Sequence, residues 1–149
     1  MMIFNRRSAL SMSSIGLVSA AVSPLLALAS AAWADGIPVY GPKDGVELSP
    51  GVRWVDLGER ESQIAAYKMV KYGDAIYQPG AIDPADQPLM DMDMFCFILQ
   101  SDFEIKKAGL PAYPVKMGGF YTCGKGKSDQ GHNVGTGVGI MRVAMFVPA

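Results

Sequence analysis

The apolar residues of this chain gather in short runs that glycine and proline separate. The run at 94–100 (MFCFILQ) is nearly continuous, which is typical of a central strand buried on both faces. Shorter apolar runs at 52–57, 119–123 and 138–147 predict three further strands. We expect the run at 138–147 to pair with 94–100. The pattern therefore predicts a domain built around a β-sheet.

One segment, residues 58–72, predicts a helix. Its central part, 62–71, contains neither glycine nor proline and includes good helix formers. Ile64, Tyr67 and Lys71 would share one side of such a helix, and Gly73 would end it. The expected fold class is therefore α+β, a β-centred small domain with one short helix.

Three segments rich in proline and glycine, at 35–51, 78–89 and 109–114, predict long irregular arms. A small domain seldom keeps long irregular segments unless something orders them. We therefore expect 36–51 and 78–89 to lie against a larger partner. Aromatic side chains on or beside these arms are the expected interface anchors: Tyr40, Trp54, Tyr77 and Tyr113.

The N-terminal segment has the pattern of an export signal. Arg6 and Arg7 precede a mostly apolar stretch at 15–28, and Ala32-Trp33-Ala34 offers a small-x-small cleavage site before Asp35. The apolar stretch is shorter than the roughly 20 residues that a membrane-spanning helix needs. The arginine pair fits a twin-arginine signal, and an ordinary export signal remains the alternative. We expect residues 1–34 to be removed, leaving one small domain, 35–149, on the periplasmic side of the cytoplasmic membrane.

The net charge of the chain bears on the partners that it could bind, and its two cysteines bear on disulfide formation and haem attachment. Removing residues 1–34 takes away two of the 13 basic residues and none of the 14 acids, so the remaining chain is acidic and a nucleic-acid partner is not expected. The two cysteines, Cys96 and Cys123, predict a disulfide in an oxidising compartment, with two free buried thiols as the alternative. Neither cysteine begins a C-x-x-C-H motif, so this chain should attach no c-type haem.

The glycine-rich segment 121–139 (YTCGKGKSDQGHNVGTGVG) does not match a phosphate-binding loop. Gly126-Lys127-Ser128 ends such a loop correctly, but Tyr121 stands where its first glycine belongs. We expect a strand-to-strand connection instead, with His132 on the surface. No serine lies in a nucleophile elbow and no acid–base pair is evident, so we predict no catalytic, cofactor-binding or metal-binding residues in this chain.

The alternation Met90-Asp91-Met92-Asp93-Met94 would place three methionines on one face of a strand. Thioether clusters suit Cu(I), and Met117 or His132 would complete such a site. A periplasmic methionine-rich copper-binding protein is therefore the alternative function. Ordinary packing by methionine is the simpler explanation.

Taken together, the export signal, the long arms and the segment 91–127 (DMDMFCFILQSDFEIKKAGLPAYPVKMGGFYTCGKGK) resemble the small, haem-free third subunit of the membrane-bound quinohaemoprotein alcohol dehydrogenase of acetic acid bacteria. The resemblance implies a non-catalytic accessory subunit that stabilises, couples or matures a catalytic subunit which oxidises ethanol and feeds the ubiquinone of the respiratory chain. It also implies two partners, a larger dehydrogenase subunit and a cytochrome c subunit, with pyrroloquinoline quinone and haem c bound there. Membrane association would occur through that complex alone.

Overall fold

The computed structural model describes residues 36–149, which form one compact unit. The predicted signal over 1–34, with its cleavage site between Ala34 and Asp35, lies outside these residues. The described residues contain no helix and form nine strands: β1 (Val46–Ser49), β2 (Val52–Glu61), β3 (Tyr67–Tyr77), β4 (Asp93–Gln100), β5 (Phe103–Lys107), β6 (Tyr113–Val115), β7 (Phe120–Cys123), β8 (Asp129–Asn133) and β9 (Gly139–Pro148).

The strands form two sheets. The larger sheet has six strands in the order β1-β2-β3-β9-β4-β7, and the smaller one has three in the order β6-β5-β8. An isolated bridge between Ile82 and His132 continues the smaller sheet beyond β8. The predicted pairing of 138–147 with 94–100 is confirmed, because β9 pairs antiparallel with β4.

The core lies between the two sheets. Side chains alternate between the two faces of a strand, so every second residue of each strand points inward. The larger sheet contributes residues such as Ala75, Ile98 and Met141, and the smaller sheet contributes Phe103 and Ile105, both fully buried. The other face of the larger sheet is only partly covered: Phe95 of β4 remains 37% exposed. The expectation that β4 is buried on both faces is therefore wrong.

The predicted helix within 58–72 is also wrong, and with it the α+β class: the fold is all-β. These residues are the hairpin of β2 and β3, which turns at 62–66. The Ser62 hydroxyl accepts the N–H of Ile64 at 3.0 Å, and the N–H of Tyr67 donates to the carbonyl of Ile64 at 2.9 Å. Pairing of β3 with both β2 and β9 outweighs the helix propensity of this segment, because propensity is a weak preference beside tertiary contacts.

The predicted arms fold onto this chain's own sheets. Arg53 holds the first arm by donating to the carbonyls of Lys43, Asp44 and Gly45, at 3.2, 2.9 and 2.6 Å. The N–H of Asp83, in the second arm, donates to the carbonyl of Gly131 in β8 at 2.9 Å. The expected exposed anchors are internal as well: Tyr77 is buried, while Trp54 and Tyr113 pack against the core. The expectation that these segments need a partner surface is therefore wrong.

The glycine-rich segment 121–139 is a strand-to-strand connection, as predicted. It also contains a strand of its own, β8, between turns at 124–128 and 134–138. Gly126 adopts a φ of 76°, a left-handed conformation that favours glycine. Gly126 therefore serves a turn, whereas Gly131 lies within β8 and Gly139 begins β9.

Candidate functional site

One end of the space between the sheets is polar. Titratable side chains from both sheets and from the second arm meet there on the inward faces of their strands. We call this set the interior cluster; its members are Tyr77, Asp83, Cys96, Lys107, Tyr121, Cys123 and Asp129. Buried ionisable groups are costly unless they are paired, so a concentration of them inside a small core marks a candidate site.

Asp83 is fixed by two donors. The Tyr77 hydroxyl donates to Asp83 Oδ2 at 2.9 Å, and the N–H of Gly131 donates to the same oxygen at 2.8 Å. A Cβ on Gly131 would lie 3.1 Å from the Tyr77 hydroxyl oxygen and 3.2 Å from Asp83 Oδ2, so the bare glycine leaves room for this pair. Burial raises the pKa of Asp83 even though both hydrogen bonds lower it. Burial and the nearby carboxylate likewise raise the pKa of Tyr77, which stays protonated.

Asp129 is the member of the cluster that is not fully satisfied. Its Oδ2 is buried and has no hydrogen-bond partner among the described residues. Burial raises the pKa of Asp129 and the negative charge of Asp83 raises it further, whereas Lys107 and the neighbouring Cys123 thiol and Tyr121 hydroxyl offset part of this rise. A buried acceptor without a partner costs free energy, so its presence calls for an explanation such as a bound molecule.

A small pocket of about 100 Å³ opens beside Asp129. Its walls are the ends of β5 and β8 and part of the second arm, and its charged lining residues are Lys106, Lys107 and Asp129. Lys107 pairs with Asp129 in register, but its ammonium donates to the backbone carbonyl of Thr122 and lies 5.7 Å from the centre of the Tyr121 ring. The pocket therefore combines one acid, which is not fully paired, with a positively charged rim.

The two cysteines belong to this cluster but are poor nucleophiles. Burial raises the pKa of Cys96 to about 12 and that of Cys123 to about 11, so both thiols stay protonated at neutral pH. In the β4–β7 ladder, Cys96 lies opposite Tyr121 and Cys123 lies opposite Met94, so the two cysteines are diagonal neighbours. Diagonal Cα atoms are typically about 7–8 Å apart, slightly beyond the range of a relaxed disulfide. Both thiols are free in the structure, and the disulfide stays a prediction.

The structure does not assemble the metal ligands that the sequence suggested. Met90 and Met92 precede β4, so the three methionines do not share a strand face. His132 alternates with the inward Gly131 and Asn133 and therefore lies on the outer face of the smaller sheet. Within residues 36–149, no three His, Cys, Asp or Glu side chains converge closely enough to hold a metal ion.

Sequence reasoning missed the acids of the site. Asp83 stands among prolines, a context typical of a turn or cap residue, and Asp129 stands in the glycine-rich connection. They are 46 positions apart, and only the pairing of the second arm with β8 brings them together. No spacing rule in the sequence would have joined them.

In the part of the chain that the structure describes, no helix is long and apolar enough to cross a membrane.

Comparison with known proteins identifies the fold. No family model and no curated protein matches the chain. Among solved structures, the cupin domain of Schizosaccharomyces pombe Cnp3 is similar, with 18% identity and a TM-score of 0.54 over 68% of this chain and 69% of that one. KdgF from Halomonas sp. is similar with 11% identity and a TM-score of 0.52, covering 68% and 84% of the two chains. The Cupin_2 domain of an XRE-family transcriptional regulator from Enterobacter cloacae is similar with 11% identity and a TM-score of 0.53, over 66% of this chain and 99% of that one.

These neighbours overturn the resemblance to the third subunit of the quinohaemoprotein alcohol dehydrogenase. The accessory role in ethanol oxidation and the dehydrogenase and cytochrome partners are therefore wrong, and the expectation of quinone and haem in those partners loses its basis. The alternative, a methionine-rich copper protein, has no support from the fold or from the placement of the methionines. At identities this low the likeness shows the fold alone: residues 36–149 form a cupin-like β-sandwich.

Proposed function

We propose that this chain is an exported cupin-fold protein that binds a small, neutral, hydroxyl-bearing molecule in the pocket beside Asp129. The observation that carries the proposal is Asp129, which lines the pocket and whose buried Oδ2 has no hydrogen-bond partner among the described residues. A hydroxyl group of a ligand would supply the missing donor. The compartment follows from the signal pattern of residues 1–34.

The charges around the pocket favour a neutral ligand. A cation would meet Lys106 and Lys107 on the rim, and an anion would meet the carboxylate of Asp129. A polyol avoids both repulsions and still donates hydrogen bonds. About 100 Å³ is the volume of roughly three water molecules, so the pocket would take one hydroxylated end of the ligand.

We propose ligand binding at this pocket and assign no catalytic residue to it. The thiols are held protonated and Lys107 is engaged by a backbone carbonyl, so neither supplies a ready nucleophile.

Ligand-observed NMR with three probes tests the proposal: glycerol, methylammonium and acetate, which are neutral, cationic and anionic. Glycerol should show saturation transfer and the two ions should not. Asp129→Asn should weaken glycerol binding by about tenfold, since a hydrogen bond to a charged group contributes about 1.5–3 kcal/mol and the pocket is partly open to water. Asp91→Asn is the matched control, because Asp91 is exposed and makes no hydrogen bond within the described residues. Equal glycerol signals for Asp129→Asn and the wild type would exclude this site.

A further inference from the structure

A second, larger groove lies on the outer face of the six-stranded sheet. Its volume is about 380 Å³, within the usual range for small-molecule sites. The lining comes from the neighbouring strands β3, β9 and β4, whose outward residues alternate with the core residues. The lining residues are Tyr72, Phe95, Phe97, Leu99, Arg142 and Ala144. The groove thus has an aromatic floor and a single charged group.

That charged group, Arg142, is held in one orientation. Its Nε and Nη2 donate to the two carboxylate oxygens of Asp74 at 2.8 and 2.9 Å, and its Cζ lies 5.5 Å from the centre of the Tyr72 ring. Asp74 is fully buried and also accepts the Tyr40 hydroxyl at 2.7 Å, which completes its own hydrogen bonding. Arg142 is 29% exposed, and its Nη1 has no partner among residues 36–149.

From this geometry we infer that the groove binds a small aromatic carboxylate. The ring would lie between Tyr72 and Phe95, which are 40% and 37% exposed, although Phe95 already stacks on Phe120 with the ring centres 5.2 Å apart. The carboxylate would accept hydrogen bonds from Nη1 of Arg142, whose planar fork suits carboxylate geometry. Stacking on aromatic side chains supplies the apolar part of the binding free energy.

The charge of the groove selects an anion over a cation. Asp74 already balances one positive charge, but its oxygens are both occupied and shielded from solvent, whereas Arg142 lines the groove and its Nη1 has no partner among residues 36–149. The site is separate from the pocket beside Asp129, because Arg142 and Asp74 point away from the sandwich interior. Neither proposal depends on the other.

The experiment is calorimetric titration with benzoate, with benzyl alcohol and acetate as probes that lack the charge or the ring. Benzoate should bind at least about tenfold more tightly than either, since removing one good polar or stacking contact costs on the order of 1.4 kcal/mol. Ala144→Leu fills the floor of the groove and should weaken benzoate binding by about tenfold without disturbing the Asp74–Arg142 pair. Leu48→Ala removes an exposed apolar side chain from the edge strand β1 and should leave binding unchanged.

Four results would overturn the inference. The first is equal affinity for benzoate and benzyl alcohol, which would remove the role of Arg142. The second is benzoate binding that Ala144→Leu leaves unaltered, and the third is no benzoate binding by the wild type at millimolar concentration. The fourth is a dimer that Ala144→Leu dissociates, which would identify the groove as an interface between two copies of the chain. Sedimentation of the wild type and of this variant distinguishes that case.

Discussion

Replacing Asp129 by asparagine should make the protein more stable at neutral pH. The substitution keeps the size of the side chain and removes a negative charge that the interior cluster does not fully satisfy. The asparagine amide keeps one acceptor and adds two donors, so the gain comes from removing a buried charge that is not fully paired. Because Asp129 is only half-buried, we expect a gain of about 1 kcal/mol, or a rise of about 4 °C in Tm for a domain of this size.

The gain should depend on pH. The pKa of Asp129 is raised above its ordinary value of 3.8, so the folded chain holds this proton more tightly than the unfolded chain. Stability from such a group is fully present below the unfolded pKa and is lost as pH rises through the folded pKa. The asparagine variant does not titrate at this position. Its advantage over the wild type should therefore be near zero at pH 4 and grow towards pH 7.

Urea unfolding followed by tryptophan fluorescence at pH 4 and pH 7 measures both quantities. The difference between the two pH values isolates ionisation, because any misfit of the amide is the same at both. Asp91→Asn should show no change at either pH. A variant whose advantage is no larger at pH 7 than at pH 4 would refute the account of Asp129 as an unfavourable buried charge. A stability gain together with lost glycerol binding would mark Asp129 as a residue kept for function.

Asn133→Ala should cost about 3–5 kcal/mol in urea unfolding, because this fully buried amide makes five hydrogen bonds; a loss below about 1 kcal/mol would contradict that. Gly73→Ala should cost about 2 kcal/mol or more, since a Cβ there overlaps an indole ring, whereas Gly36→Ala meets nothing within 4 Å and should be neutral. If Cys96 and Cys123 form the predicted disulfide, the intact mass of the purified protein is lower by two hydrogen atoms and the denatured chain does not react with thiol reagents; alkylation of both cysteines without prior reduction would exclude the bridge.

The apolar runs predicted two adjacent inner strands of the larger sheet. Residues 94–100 and 138–147 became β4 and β9, which pair with each other, because strong apolar runs bounded by turns have few other structures available. The strand predicted at 52–57 is the first part of β2, whereas the turn end of the β2–β3 hairpin escaped prediction. There β2 is exposed over residues 56–61, and residues 62–66 have helix-forming composition.

The candidate site could not be predicted from the sequence, for a different reason. Asp83 meets Gly131 and Tyr77 only after a proline-rich segment pairs with the edge of the smaller sheet. Proline-rich segments normally indicate turns, and carboxylates within them normally cap those turns. Only the fold places Asp83 and Asp129 in one interior, so their electrostatic coupling appears first in three dimensions.

Lys107 also bears on how the protein avoids self-assembly. β7 is an edge strand of four residues, and its Phe120 is 63% exposed, which are features that invite an incoming strand from another molecule. The Lys107 ammonium occupies the backbone carbonyl of Thr122 on this strand. An acceptor needed for sheet extension is thereby blocked by a charge held in place from the opposite sheet. The lysine that lines the pocket thus also protects the edge of the sandwich against aggregation.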